Sequence, residues 1–114
     1  MKLLSFLSFI TILFFQNVQA QFDDQFYFPS KKIIAIENLK YESITLLVEK
    51  DTLQTIFIKP NKKVKATILY FHGNSGNYSE NIELVKPLVE DGFQVFMAEY
   101  RGYGKSSGKP THLN

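Results

Sequence analysis

Apolar positions along this chain change their spacing from block to block, and each spacing predicts a different element. Residues 3–15 are apolar except for Ser5, Ser8 and Thr11. Residues 42–49 (E-S-I-T-L-L-V-E) and 53–58 (L-Q-T-I-F-I) are short and β-branched, and the polar turn Lys50-Asp51-Thr52 between them predicts a β-hairpin. Residues 66–71 (A-T-I-L-Y-F) are continuously apolar, as in a strand buried on both faces of a parallel sheet. Ile82, Val85, Leu88 and Val89 then recur at helical spacing, with Glu80, Glu83, Lys86 and Glu90 between them. The two early glutamates sit where the helix dipole favours negative charge. Pro87 inside this pattern is expected to kink or break the helix, and Gly92 to cap it in the left-handed conformation. Residues 93–100 (F-Q-V-F-M-A-E-Y) predict one more strand, and residues 101–110 a long polar loop. A hairpin followed by a β-α-β unit implies an α/β fold with a mixed sheet whose later part is parallel.

The first apolar block reads differently from the others. Lys2 precedes it, Gln16, Asn17 and Gln19 end it, and Val18-Gln19-Ala20 offers small residues for cleavage. That is the layout of a secretory signal peptide at residues 1–20, and the run is short of the ~20 apolar residues a membrane span needs. The chain is therefore expected to be exported, secreted or periplasmic, rather than membrane-anchored. Residues 21–41, with Phe22, Phe26, Tyr27 and Phe28 ahead of Pro29, read as an extended lead-in segment, and residues 42–114 as a partial domain.

Composition narrows the function classes. In 114 residues there is no cysteine, and His72 and His112 are the only histidines, so neither a disulfide framework nor a structural zinc site is expected. No cofactor is expected either. A formal charge of +2 gives no reason to expect nucleic acid as a partner. Lys59, Lys62, Lys63 and Lys65 surround Pro60-Asn61 and read as a solvated loop.

Residues 70–77 (Y-F-H-G-N-S-G-N) place a glycine-bearing loop between a buried strand and a helix. Free N–H groups ahead of a helix can hold a negative oxygen, and Gly73 and Gly76 let the backbone approach a ligand closely. A tight strand-to-helix turn would use the same residues. A second motif follows the next strand: residues 100–110 read Y-R-G-Y-G-K-S-S-G-K-P. Together, F-H-G-N-x-G from Phe71 and Y-R-G-Y-G-x-S-x-G-x-P from Tyr100 resemble the α/β-hydrolase superfamily, N-terminal part. Within it they look most like the serine aminopeptidase-like branch, to which Phe26-Tyr27-Phe28-Pro29-Ser30 is also similar. The resemblance spans residues 26–112.

The resemblance implies roles for particular residues. Asn74 would give one backbone N–H of an oxyanion hole, with His72, Gly73 and Gly76 supporting that loop. Residues 101–108 would form a structural and substrate-rim loop. The second oxyanion donor and the nucleophile would come from a later G-x-S-x-G elbow, so no catalytic triad is expected within this chain and no catalysis from it alone. The family topology also implies that the strand of residues 93–100 inserts between the hairpin and residues 66–71, leaving the latter an open edge able to pair with another strand. The whole protein would hydrolyse a small-molecule ester or peptide bond. A non-enzymatic interaction module and a non-functional truncated remnant are the alternatives.

Several look-alikes are set aside. Gly104-Lys105-Ser106-Ser107-Gly108 formally matches G-x-S-x-G, but no strand runs directly into Gly104, and Gly108-Lys109-Pro110 cannot start a helix on the serine. No Asp or Glu follows Glu99, so the order serine, acid, histidine is unavailable. A phosphate-binding loop would need glycine where Glu99 stands, and the dinucleotide fingerprint misses by one position at Ser107. Asn77-Tyr78-Ser79 is an N-glycosylation sequon, of consequence in a source that glycosylates exported proteins.

Overall fold

The structure, a computed structural model, describes residues 23–111. The signal peptide expected at residues 1–20 and His112 lie outside the described residues. The elements, in chain order, are β1 (Phe28–Pro29), β2 (Lys40–Val48), β3 (Asp51–Lys59), β4 (Thr67–Phe71), β5 (Ser75–Gly76), a 3-10 turn (Tyr78–Asn81), α1 (Ile82–Glu90) and β6 (Gln94–Ala98). Among the described residues no helix is long and apolar enough to cross a membrane.

The main sheet runs β2-β3-β6-β4. The hairpin is antiparallel from Lys40↔Lys59 to Val48↔Asp51, so its turn is Glu49-Lys50 and not Lys50-Asp51-Thr52 as the composition suggested. Asp51 and Thr52 continue the ladder instead, because a two-residue turn keeps every pair in register. β6 lies antiparallel to β3 and parallel to β4, inserted between them. This is the strand order that the resemblance implied, and it makes the sheet a partial α/β-hydrolase sheet with β4 at its edge.

One face of the sheet carries the core. Ile82, Val85 and Val89 of α1 pack on Ile56 and Ile58 of β3 and on Val95 and Met97 of β6, with Tyr78 closing the end. The helical spacing of these apolar residues is what turns them together onto the sheet; each such side chain contributes roughly 1.5–3 kcal/mol when fully buried. Pro87 does not break α1, which runs through it. Pro87 and Glu83 are both on the exposed side, where a carbonyl that loses the missing N–H is cheapest to leave, because it can turn to solvent. Gly92, at φ +107°, ends the helix as expected, with its N–H donating to Val89 and that of Phe93 to Leu88.

The opposite face differs from the expectation for residues 66–71. β4 alternates, with Thr67, Leu69 and Phe71 exposed. Leu69 lies in register with Phe96, and Phe96 with Phe57, so an apolar stripe crosses the sheet, exposed at Leu69 and half-buried at Phe96 and Phe57, where Lys59 Nζ lies 5.7 Å from the ring centre. Leu69 is 57% and Phe71 60% exposed. An apolar strand reads as buried only where both faces are covered, and only the face under α1 is covered here.

The lead-in segment is not extended throughout. Residues 23–26 form a helical turn, closed by Tyr27 N–H on the Asp23 carbonyl. Beyond it, β1 pairs in parallel with β5, Phe28 opposite Ser75 and Pro29 opposite Gly76, so the segment is laid against the glycine-bearing loop.

Candidate active-site cleft

The loop between β4 and the 3-10 turn borders a cleft of about 420 Å³. Its walls include Tyr27 of the lead-in segment, His72, Gly73 and Asn74 of the loop, and Tyr100, Arg101 and Tyr103 after β6. A side chain added at Gly73 would meet nothing within 4 Å, so the backbone there faces open space.

Three successive carbonyls of this loop are held from behind. The Tyr100 hydroxyl donates to the His72 carbonyl, His72 Nδ1 lies 2.8 Å from the Gly73 carbonyl, and the Tyr103 hydroxyl donates to the Asn74 carbonyl at 2.6 Å. Phe28 N–H also donates to the Asn74 carbonyl, and the Asn74 side chain donates to the Phe26 carbonyl. In a trans peptide the C=O and the following N–H point opposite ways. With the Gly73 carbonyl turned to the His72 ring, the Asn74 N–H points away from that ring, and no backbone carbonyl among the described residues accepts from it. Gly76 is buried with φ +78°, a conformation that favours glycine, and its added side chain would fall 2.6 Å from Glu80 Oε2. The residues that the sequence picked out, His72, Gly73, Asn74 and Gly76, are thus brought together in one loop.

Behind the loop sits a group that sequence reasoning left without a role. Glu99 is fully buried at its side chain, 2.6 Å from Nε2 of the equally buried His72. Glu99 Oε1 also accepts from Tyr100 N–H and Oε2 from Tyr78 N–H. The signal for it was present: an acid at the end of the strand that neighbours the histidine's strand.

Tyr78, Tyr100 and Tyr103 cluster around this pair. Burial pushes all three phenols above the ordinary tyrosine range, and the Glu99 carboxylate adds to the effect. Raised values keep the Tyr100 and Tyr103 hydroxyls protonated and donating. A folded-state value above the unfolded one gives stability that is complete below about pH 10 and lost as pH rises through the folded value. Thermal melts are therefore expected to fall in midpoint from about pH 10 upward, and the Tyr78→Phe variant to show a shallower alkaline decline. An alkaline slope unchanged in Tyr78→Phe would remove Tyr78 from this account.

The polar loop after β6 has a structural task. β6 pairs with β3 only at residues 56–58, which leaves the start of β3 without a neighbour on that side. Ser106 Oγ accepts from Gln54 N–H at 2.9 Å, Ser107 Oγ accepts from Thr52 N–H at 2.8 Å, and Ser107 N–H returns a bond to the Thr52 carbonyl. Ser106 is only 2% exposed, with its hydroxyl committed to β3. Arg101 anchors the same loop to Asp51 at 2.9 Å and Glu49 at 3.1 Å. The sequon asparagine, Asn77, is fully buried, and its amide donates to the Ser30 and Lys32 carbonyls, so in the folded chain that nitrogen is occupied. Among the described residues no group of three His, Asp or Glu side chains is placed to hold a metal ion.

The family model for the alpha/beta hydrolase fold matches residues 66–113. The uncharacterized protein YfhR of Escherichia coli is 42% identical over 91 residues, covering 75% of this chain and 32% of that protein. Protein bem46 of Schizosaccharomyces pombe is 35% identical over 78 residues, covering 65% of this chain and 26% of that protein. The chain thus spans about a third of the length of the YfhR proteins and about a quarter of bem46. A solved esterase of Pyrococcus furiosus superposes with a TM-score of 0.55 at 22% identity, over 75% of this chain and 36% of that one, a likeness of fold.

Proposed function

Because this chain belongs to the α/β-hydrolase superfamily, we propose that it carries the oxyanion loop of an exported serine hydrolase, with the Asn74 N–H as one donor. The observation that carries the reading is the 73–74 peptide, whose carbonyl is held by His72 while its N–H points the other way beside the cleft. Acyl transfer needs a nucleophile, a base that activates it and donors for the oxygen that becomes negative. In this reading the chain supplies one such donor and part of the substrate rim. The nucleophile, acid and histidine come from protein that adds a strand to the β4 edge and covers the Leu69–Phe96–Phe57 stripe. An uncovered apolar face beside an open strand edge favours such a neighbour over solvent. The substrate is a small ester or peptide, and the nearest branch is that of the serine aminopeptidase-like proteins, on the strength of the paired motifs at Phe71 and Tyr100.

The test begins with the gene. Its frame, read past codon 114, is expected to run through an apolar strand into G-x-S-x-G and then to an acid and a histidine. Protein from that extended frame is expected to hydrolyse p-nitrophenyl esters at a rate that Ser106→Ala leaves unchanged, and residues 21–114 by themselves to give no turnover. Hydrolysis by residues 21–114 that Ser106→Ala abolishes, or a native stop directly after codon 114, would overturn the reading. Exported material is expected to begin at Gln21; Met1 retained in it would remove the signal-peptide claim.

A further inference from the structure

We propose that Glu99 is a positioning residue for the Asn74 N–H, acting through the His72 ring; the inference rests on the oxyanion reading of Asn74. The Gly73 carbonyl can only accept, so His72 Nδ1, 2.8 Å away, must carry a proton to bond with it. Which way an imidazole faces is set by the partner of its other nitrogen, and where that partner is an acceptor-only carboxylate the ring bonds both groups only with a proton on each nitrogen. That partner is Glu99 Oε1, 2.6 Å from Nε2, with both side chains sealed from water. Glu99 is in turn fixed by two backbone N–H groups, Tyr100 just after β6 and Tyr78 at the start of the 3-10 turn. The loop after β6 closes over it: a side chain added at Gly104 would fall 2.8 Å from Glu99 Oε2.

A chain of fixed contacts therefore runs from β6 to the cleft. The backbone holds Glu99, Glu99 holds the ring through Nε2, the ring holds the Gly73 carbonyl through Nδ1, and the peptide plane aims the Asn74 N–H. A donor that acts on a developing charge must be aimed before the charge appears, and a buried, fully bonded chain supplies that preorganisation. A bland role for Glu99, tying the helix start to β6, would use the Tyr78 and Tyr100 bonds but would leave the Asn74 N–H indifferent to His72.

The full chain labelled with ¹⁵N separates the two. In the unaltered protein, long-range ring spectra are expected to show a proton on His72 Nδ1. Glu99→Met and His72→Phe are each expected to shift the Asn74 amide resonance, and the double variant to shift it no further than His72→Phe alone, because both changes break one chain. Core amides such as Val85 are expected to stay in place. A His72 Nδ1 without a proton, or a double-variant shift equal to the sum of the two single shifts, would overturn the proposal. The ring signature needs no variant, so a Glu99→Met protein that fails to fold leaves the test standing. No substrate is used, so loss of the hydrolase reading leaves this result intact, whereas additive shifts beside measured hydrolysis remove only the role of Glu99.

Discussion

If the proposed hydrolase function holds, Asn74→Pro is expected to lower kcat for ester hydrolysis by about 10²–10³, equivalent to ~2.7–4 kcal/mol, the usual cost of losing one oxyanion donor. The substitution deletes the N–H itself, which no side-chain change at position 74 can do. Gly73 precedes it and tolerates the restriction that proline places on its neighbour. Proline also removes the side-chain bond to the Phe26 carbonyl, so Asn74→Ala is the control: it loses that bond, keeps the N–H, and should leave kcat within a few-fold. Steady-state kinetics on a p-nitrophenyl ester distinguish the cases, because a donor used only in the transition state lowers kcat and not merely binding. If Asn74→Pro and Asn74→Ala have the same kcat, Asn74 is not the donor.

Asn77→Ala is expected to destabilise the fold by about 2 kcal/mol, from one lost helix-turn cap and the lost amide bonds to the Ser30 and Lys32 carbonyls, of which Ser30 keeps the Gly104 N–H. The Asn77 Oδ1 accepts from Ser79 N–H at 2.9 Å and from the Ser79 hydroxyl at 2.6 Å. Its Nδ2 donates to the Ser30 and Lys32 carbonyls of the lead-in segment. Alanine removes both halves. Asn77→Asp keeps the cap acceptor but sets a carboxylate oxygen against two carbonyl oxygens, so at neutral pH it should cost at least as much as alanine. Urea titrations should show a lower midpoint with an unchanged slope. A midpoint within error of the parent would mean that the lead-in segment contributes nothing to stability through Asn77.

These two residues illustrate what was legible beforehand. Asn74 stood out because the H-G-N-x-G run lies between an apolar strand and an amphipathic helix, a local pattern with a local meaning. Asn77 was read only as a sequon, since nothing in its neighbours announces that residues 30 and 32 will lie against it. Glu99 was visible as a letter in the second motif, yet its meaning depends on His72, 27 positions earlier. Ser106 was set aside by the chain order of a triad, but the task its hydroxyl performs, finishing the open side of β3, could not be inferred from the loop's own residues.

By itself the sequence determined the main elements, because apolar periodicity is a near-neighbour property: the hairpin, α1 and the strands around the H-G loop followed from spacing, and the family from the resemblance of the paired motifs. The tertiary structure alone decided how segments far apart in sequence meet. It set the turn at Glu49-Lys50, carried α1 through Pro87 on its solvent side, left one face of β4 uncovered, and pressed the lead-in segment against the loop. It also joined Glu99 to His72 behind Asn74. The reason is physical: a buried polar group must find its hydrogen-bond partner wherever the packed chain brings one, and that choice is made by the three-dimensional arrangement and not by the local run of residues.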